Sequence, residues 1–502
     1  MHGFGRILAI SLLAGTIVSP ASHARDATGT GAGPSLDAIF QKWNKPNSPG
    51  CAVGYVRGGA PPVTRFYGFA DLEHDIEINA DTVFEAGSVS KQFTAASILA
   101  LAEQGKLALT DDVRKYVPEL RDYGPPLTID QLLNHTSGLR DWGEIEAIAG
   151  WPRTSRIYAL DDVLDIAARQ KNLNYTPGSA YSYTNTGYSL LAIIVQRVSG
   201  DSLAEFTRKK FFTPLDMSHT QWRDNFRRVV KHRAIAYKAI KDGYEQDMPF
   251  ENAYGNGGML TTIGDLLKWN ADLNAGKLGS FITTELQRPS KLSNDQQISY
   301  ARGLMVESYR GVREIAHSGT TAGYRAWLAR YPDSQLSIAL LCNAGNAETR
   351  ELARAVADLL LPSSPALGGM TTKAEQLAKR AGKFVSQSVT GDAIKARLKK
   401  PWLPAPGDLQ KMVGTYTSDE ALATYEISLK DGNLIATPKS RRSAAVTLTP
   451  TVVDTFQIGD EERAFHFLRN AKGDIDRFEA SSERVYALPF QRLSVIGSPP
   501  PL

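Results

Sequence analysis

Four alternating apolar runs crowd the middle of this chain: Gly303 to Tyr309, Val312 to His317, Tyr324 to Tyr331 and Leu336 to Asn343. At most six residues separate one run from the next, too few for a crossover, so the runs are expected as an antiparallel meander. Two further strand-like runs, residues 51 to 57 and 63 to 70, meet at Gly58-Gly59 after a short helix near Ser35 to Trp43. Between these groups, residues 106 to 300 are mostly helical and loop in pattern, and a helix from about Glu348 to Leu361 follows the meander. The expectation is an α+β fold in which both ends of the domain build one antiparallel sheet, flanked by helices and carrying a helical insert. Beyond it, Pro362 to Gly369 reads as a linker and Lys373 to Lys399 as a charged amphipathic helix. From Leu409 to Leu493 strand follows strand, with a turn at Asp431-Gly432, which predicts a small antiparallel β-barrel or sandwich.

Composition bounds the class. With 502 residues, 42% hydrophobic and 22% charged, the chain is globular and long enough for two or three domains. Arg6, the apolar run Ile7 to Val18, Pro20 and the tripeptide Ser22-His23-Ala24 read as a secretory leader cut after Ala24. The run is short for a membrane anchor and no second long apolar segment follows, so an exported protein, periplasmic or secreted, is expected with no stable membrane insertion once the leader is gone. The formal net charge of +4 comes without a long basic run, which excludes a nucleic-acid partner. The expected domains are a leader over 1–24, a first domain over 25–361, a linker and connecting helix over 362–405, and a small lipocalin-like β-barrel over 406–502. Cys51 and Cys342 both fall in strand-like runs. A bridge is open to them in an oxidising compartment, but two buried free thiols are the expected state. The cysteines and histidines show no metal-ligand spacing, so neither a metal nor another cofactor is expected.

The chemistry starts at Phe84-Glu85-Ala86-Gly87-Ser88-Val89-Ser90-Lys91. Ser88 is the only serine followed three residues later by lysine, at the mouth of an apolar run through Leu101. Residues at i and i+3 share a helical face, so the Lys91 amine can take the Ser88 proton, and helix-start N–H groups favour an oxyanion beside it. A surface lysine after a capping serine is the bland alternative. Tyr183-Thr184-Asn185 precedes a second buried run, about Tyr188 to Val198, and offers a phenol and a carboxamide. A lysine cation nearby is expected to favour the phenolate, which makes Tyr183 an acid and base. A second Tyr-x-Asn, Tyr254-Gly255-Asn256, competes with it; Tyr183 is preferred because a helix start immobilises it. His317-Ser318-Gly319-Thr320 is the only His-x-Gly segment. There the Thr320 N–H can serve as a second oxyanion donor, Gly319 admits substrate close to the backbone, and His317 is free to orient the tyrosine or meet a carboxylate.

Ser-x-x-Lys, Tyr-x-Asn and His-x-Gly in this order resemble the penicillin-recognising serine hydrolases of the class C β-lactamase family, which includes DD-peptidases, D-aminopeptidases and esterases. Gly68-Phe69-Ala70-Asp71, Leu132 to Leu139 and Gly257 to Thr262 are similar too, so the likeness covers about residues 35 to 361. It implies a serine β-lactamase-like fold, with Ser88 as nucleophile, Lys91 as its base or the group that tunes it, Tyr183 as proton relay and Asn185 as a contact to substrate and lysine. His317 stands where true β-lactamases carry the lysine of Lys-Thr-Gly, which weakens recognition of a β-lactam carboxylate. The segment after residue 405 resembles, more faintly, the β-barrels behind the catalytic domain of D-aminopeptidase relatives. The expected function is that of an exported peptidase, of the D-amino acid or cell-wall peptide type, or an esterase, hydrolysing an amide or ester bond of a small molecule or short peptide through an acyl-enzyme. The rivals are a β-lactamase and a penicillin-binding sensor with little turnover.

Overall fold

The structure, a computed structural model, describes residues 35–151, 155–361, 402–439, 444–459 and 463–493. The leader, the linker after Pro362 and the connecting helix about Lys373 to Lys399 lie outside the described residues. The sheet is assembled from both ends, as the short connections require. Its strands are β1 (Cys51–Arg57), β2 (Val63–Tyr67), β3 (Tyr300–Ala301), β4 (Leu304–Tyr309), β5 (Val312–Thr321), β6 (Tyr324–Tyr331) and β7 (Leu336–Cys342). They run in the order β3-β4-β5-β6-β7-β1-β2, and each pairing is antiparallel.

Strand β7 is buried along its whole length, and its alternation feeds two cores. Ala339 and Leu341 join the large core beneath α2 (Lys91–Glu103), while Ile338, Leu340 and Cys342 pack toward α1 (Leu36–Phe40) and the helix Thr349–Leu360. Cys51 and Cys342 stand directly opposite each other in the β1–β7 register and form a disulfide. The expectation of free thiols is thus corrected. The sequence shows two strand cysteines but not that they are cross-strand neighbours.

Helix α2 is buried on nearly every side, from Lys91 to Leu101, which is what an apolar stretch without a polar face must become. The helical insert supplies α3 (Trp142–Ile148) and α4 (Asn185–Ser199). Asp141 caps α3 through bonds from the Gly143 and Glu144 N–H groups, and Thr184 caps α4, which stops at Gly200 in the left-handed region.

The second unit is a closed antiparallel barrel of eight strands, from Gly414–Ser418 to Leu488–Arg492, sealed where Tyr416 meets Arg492. Inward residues alternate along each strand, as in Tyr425 and Ile427 or Phe465 and Phe467. Stacked aromatics such as Phe478 and Phe490, 4.7 Å apart, fill the interior. The apolar face of α3, with Trp142, Ile145 and Ile148, belongs to the same core as the barrel.

Candidate active site

The strand pair Phe84–Glu85 with Met259–Thr261 delivers the chain to Ala86, whose N–H donates to the Met259 carbonyl at 2.8 Å. A 3₁₀ turn, Gly87–Ser90, then leads into α2, so Ser88 sits in the turn and Lys91 opens the helix. The i, i+3 relation survives this change of helix type. Lys91 Nζ lies 3.0 Å from Ser88 Oγ, 3.0 Å from Asn185 Oδ1 and 2.5 Å from the Asn256 carbonyl oxygen. The side chain is fully buried, with the rings of Tyr183 and Tyr188 at 4.8 and 5.4 Å.

Asn185 is the first residue of α4, and its backbone N–H donates to Asp141 Oδ2 at 2.6 Å. One carboxylate therefore caps α3 and fixes the residue that holds Lys91. Tyr183 packs on His135, ring centroids 4.2 Å apart, while the Thr184 N–H donates to His135 Nδ1 at 3.2 Å. Among the described residues the Tyr183 hydroxyl makes no hydrogen bond of normal geometry, and burial pushes its pKa up, against the pull of the nearby Ser88 hydroxyl and the Arg484 cation. The expected preference for phenolate is thus reversed: desolvation outweighs the pull of the Ser88 hydroxyl and the Arg484 cation, and the neutral phenol is favoured. Tyr254, the competitor, packs against Trp222 instead, 5.8 Å between centroids. Its motif contributes Asn256, by a backbone carbonyl that no side-chain pattern reveals.

The 3₁₀ turn lies against β5. A Cβ on Gly319 would fall 2.0 Å from the Ala86 carbonyl oxygen, and one on Gly87, whose φ is +50°, would fall 2.7 Å from the Thr320 nitrogen. Backbones approach this closely only where side chains are missing. His317 is buried, with Nδ1 at 2.6 Å from the Ser318 carbonyl and Nε2 at 3.1 Å from the Tyr300 hydroxyl. A carbonyl only accepts, so Nδ1 carries the proton and Nε2 accepts from Tyr300. Burial, helped by the Lys91 charge, pushes the His317 pKa down to about 3. The tyrosine that His317 orients is Tyr300, not Tyr183.

Ser88, Tyr183, Asn185, His317 and Thr320 line one cavity of about 460 Å³. Tyr300, Glu251, Arg223 and Arg484 also face it, and none of them stands out in the sequence, since each arrives from a distant segment without a motif. Arg223 is held by Glu85 through bonds of 2.8 and 3.0 Å.

A family model described as Beta-lactamase matches residues 36–361. The chain belongs to the beta-lactamase family. This is a penicillin-recognising serine hydrolase family. Penicillin-binding protein 4* of Bacillus subtilis (strain 168) is 28% identical over 327 residues, which cover 61% of this chain and 71% of that protein. Protein flp of Staphylococcus aureus (strain MRSA252) is 28% identical over 319 residues, covering 61% of this chain and 62% of flp. Two solved structures extend the beta-lactamase likeness to the fold. D-amino acid amidase from Ochrobactrum anthropi SV3 matches with a TM-score of 0.57 at 19% identity, over 64% of this chain and 97% of the amidase. The octameric penicillin-binding protein homologue from Pyrococcus abyssi matches with a TM-score of 0.56 at 22% identity, over 88% of this chain and 95% of that one.

Proposed function

We propose that this protein is an exported hydrolase that forms an acyl-enzyme at Ser88 on amide or ester substrates, as a peptidase or esterase. The observation that carries the reading is the set of contacts around Lys91. Lys91 Nζ stands 3.0 Å from the Ser88 hydroxyl and is aimed there by the carbonyl oxygens of Asn185 and Asn256, so the amine in its neutral form is placed to take the Ser88 proton. Ser88 Oγ then attacks the substrate carbonyl carbon as its proton passes to Lys91. The N–H groups of Ser88 and Thr320 receive the oxyanion. Collapse of the tetrahedral intermediate breaks the bond to the leaving group, to which Tyr183, a neutral phenol, delivers its proton while it takes up the one that Lys91 removed from Ser88, so that phenol and neutral amine are both restored. Water then releases the acyl group from Ser88 along the reverse path.

His317 is neutral, so a substrate carboxylate meets no fixed cation at that one position. The name of the amidase with the same fold is consistent with a D-amino acid or short-peptide substrate. Export is supported by the leader-like first 24 residues and by the Cys51–Cys342 bridge, which needs an oxidising compartment. Among the described residues no helix is long and apolar enough to cross a membrane. We assign residues 25–361 to catalysis and 406–502 to the barrel.

The test is labelling of the full chain with a fluorophosphonate probe, followed by turnover of p-nitrophenyl esters, D-aminoacyl anilides and nitrocefin. Expected is an adduct that disappears in Ser88→Ala, with ester or anilide turnover exceeding nitrocefin. Labelling that persists in Ser88→Ala would refute the assignment. A stable penicilloyl adduct without turnover would favour the penicillin-binding reading, which the name of the Bacillus subtilis relative supports.

A further inference from the structure

Among the described residues, one side chain on the cavity wall comes from the barrel: Arg484, in the loop between the strands Ile475–Ser481 and Leu488–Arg492. The loop is fastened to the first domain. The Arg484 carbonyl accepts from the Asp141 N–H at 3.2 Å and from Asn174 Nδ2 at 3.0 Å, and the Tyr486 N–H donates to Asn174 Oδ1 at 2.8 Å. Arg140 Nη2 donates to the Tyr486 carbonyl at 2.9 Å, while Arg140 Nη1 meets Glu420 Oε2 at 2.8 Å in a buried pair.

Held in this way, the guanidinium lies over the Tyr183 ring, 5.3 Å from its centroid. Its nearest carboxylate is Glu483, 3.7 Å from Nε and 58% exposed, and the guanidinium makes no hydrogen bond among the described residues. The other charges of the cavity are engaged differently. Arg223 is held by Glu85, Lys91 is turned to Ser88 and two carbonyls, His317 is uncharged, and Glu251 is a buried acid on the wall. Arg484 is thus a cation of this cavity with donors to spare, beside the phenol assigned to the leaving group.

We propose that Arg484 is a substrate-binding residue, and that the enzyme selects substrates whose leaving group carries a carboxylate or similar anion. The barrel then completes the active site. The substrate class rests on the acyl-enzyme reading above, because Tyr183 defines the leaving-group side only within it.

The experiment compares 3-carboxyphenyl acetate with its uncharged isostere 3-carbamoylphenyl acetate on the full chain. A charge-assisted hydrogen bond predicts a kcat/KM ratio favouring the carboxylate by about tenfold or more. The ratio should fall toward unity in Arg484→Gln, persist in part in Arg484→Lys, and invert in Arg484→Glu. An unchanged ratio in Arg484→Gln, or equal loss on both esters, would overturn the proposal. Calorimetric binding of the two esters to Ser88→Ala separates the two readings. If Ser88 proves unnecessary for hydrolysis while Ser88→Ala still prefers the anion and Ser88→Ala/Arg484→Gln does not, the anion site stands and the acyl-enzyme falls. If turnover depends on Ser88 but shows no preference for charge, the acyl-enzyme stands and the anion site falls.

Discussion

Asn185 ties the reacting amine to the rest of the molecule. Its side chain holds Lys91 at 3.0 Å, and its backbone N–H is held by Asp141 at 2.6 Å. Asn185→Ala should leave the fold intact and reduce kcat/KM by roughly 10- to 100-fold, because the amine loses one of the groups that aim it. Steady-state kinetics beside a urea melt checks both halves. His317 gives a second prediction, with opposite consequences for rate and stability. Its folded pKa, pushed down to about 3 by burial, lies below the ordinary value of about 6.5. The unfolded chain therefore binds the proton first, so the stabilisation is whole above the ordinary value and drains away as pH falls toward the folded one. Urea unfolding of wild type should weaken through this acid window more than that of His317→Gln. The pH dependence of kcat/KM near neutrality should keep its shape in the variant, and a lost inflection there would mean that His317 titrates during catalysis. Ser88 and Lys91 are legible in the sequence because their relation is local, one turn of helix. Tyr300, Asp141 and Arg484 are not, because only the tertiary fold brings them to the serine.

The 3₁₀ turn and strand β5 work as a pair of facing backbones. Their contact depends on Gly319, where even a methyl would meet the Ala86 carbonyl at 2.0 Å. Gly319→Ala should force the turn and the strand apart and misalign the Ser88 and Thr320 N–H groups. The expected loss is about 100-fold or more in kcat, the scale of one oxyanion donor, with much less change in the urea midpoint. Comparable losses of activity and stability would instead point to general disruption of the sheet. Much of the element level can be read from the sequence, since β4 to β7 follow from alternation and connections too short for crossovers. The register cannot, for period-2 alternation gives the face of a residue and not its partner. This is why the sequence alone leaves Cys51 and Cys342 as expected thiols. Their bridge joins strands 291 residues apart in the chain, so reduction, or Cys51→Ala with Cys342→Ala, should cost roughly 2–5 kcal/mol in urea unfolding. No loss of stability on verified reduction would show that the two strands are held by packing alone.

At the scale of the molecule, the barrel is bound into the first domain by a shared core and a buried ion pair. Trp142, Ile145 and Ile148 of α3 pack with barrel residues, and the Tyr425 hydroxyl donates to the Ile148 carbonyl at 2.7 Å. Cutting the barrel away would expose that apolar face, so a loss of activity on truncation would not distinguish catalysis from solubility. A single residue can make the distinction. Glu420 is buried against Arg140 and accepts from the Lys171 N–H at 2.8 Å, so its removal leaves a buried guanidinium without its counter-charge. Glu420→Ala should therefore cost about 3–5 kcal/mol, the usual penalty for breaking a buried pair from one side. Arg140 also holds the Tyr486 and Ala487 carbonyls, so the disturbance should reach Arg484, while the bonds from Lys91 to Asn185 and Asn256 lie within the first domain. Under conditions where Glu420→Ala remains folded, its preference for the carboxylate ester should weaken while its rate of fluorophosphonate labelling at Ser88 stays near that of wild type. If both decline together, the clamp supports the nucleophile itself, and the barrel's contribution is to the whole cavity rather than to one charge at its edge.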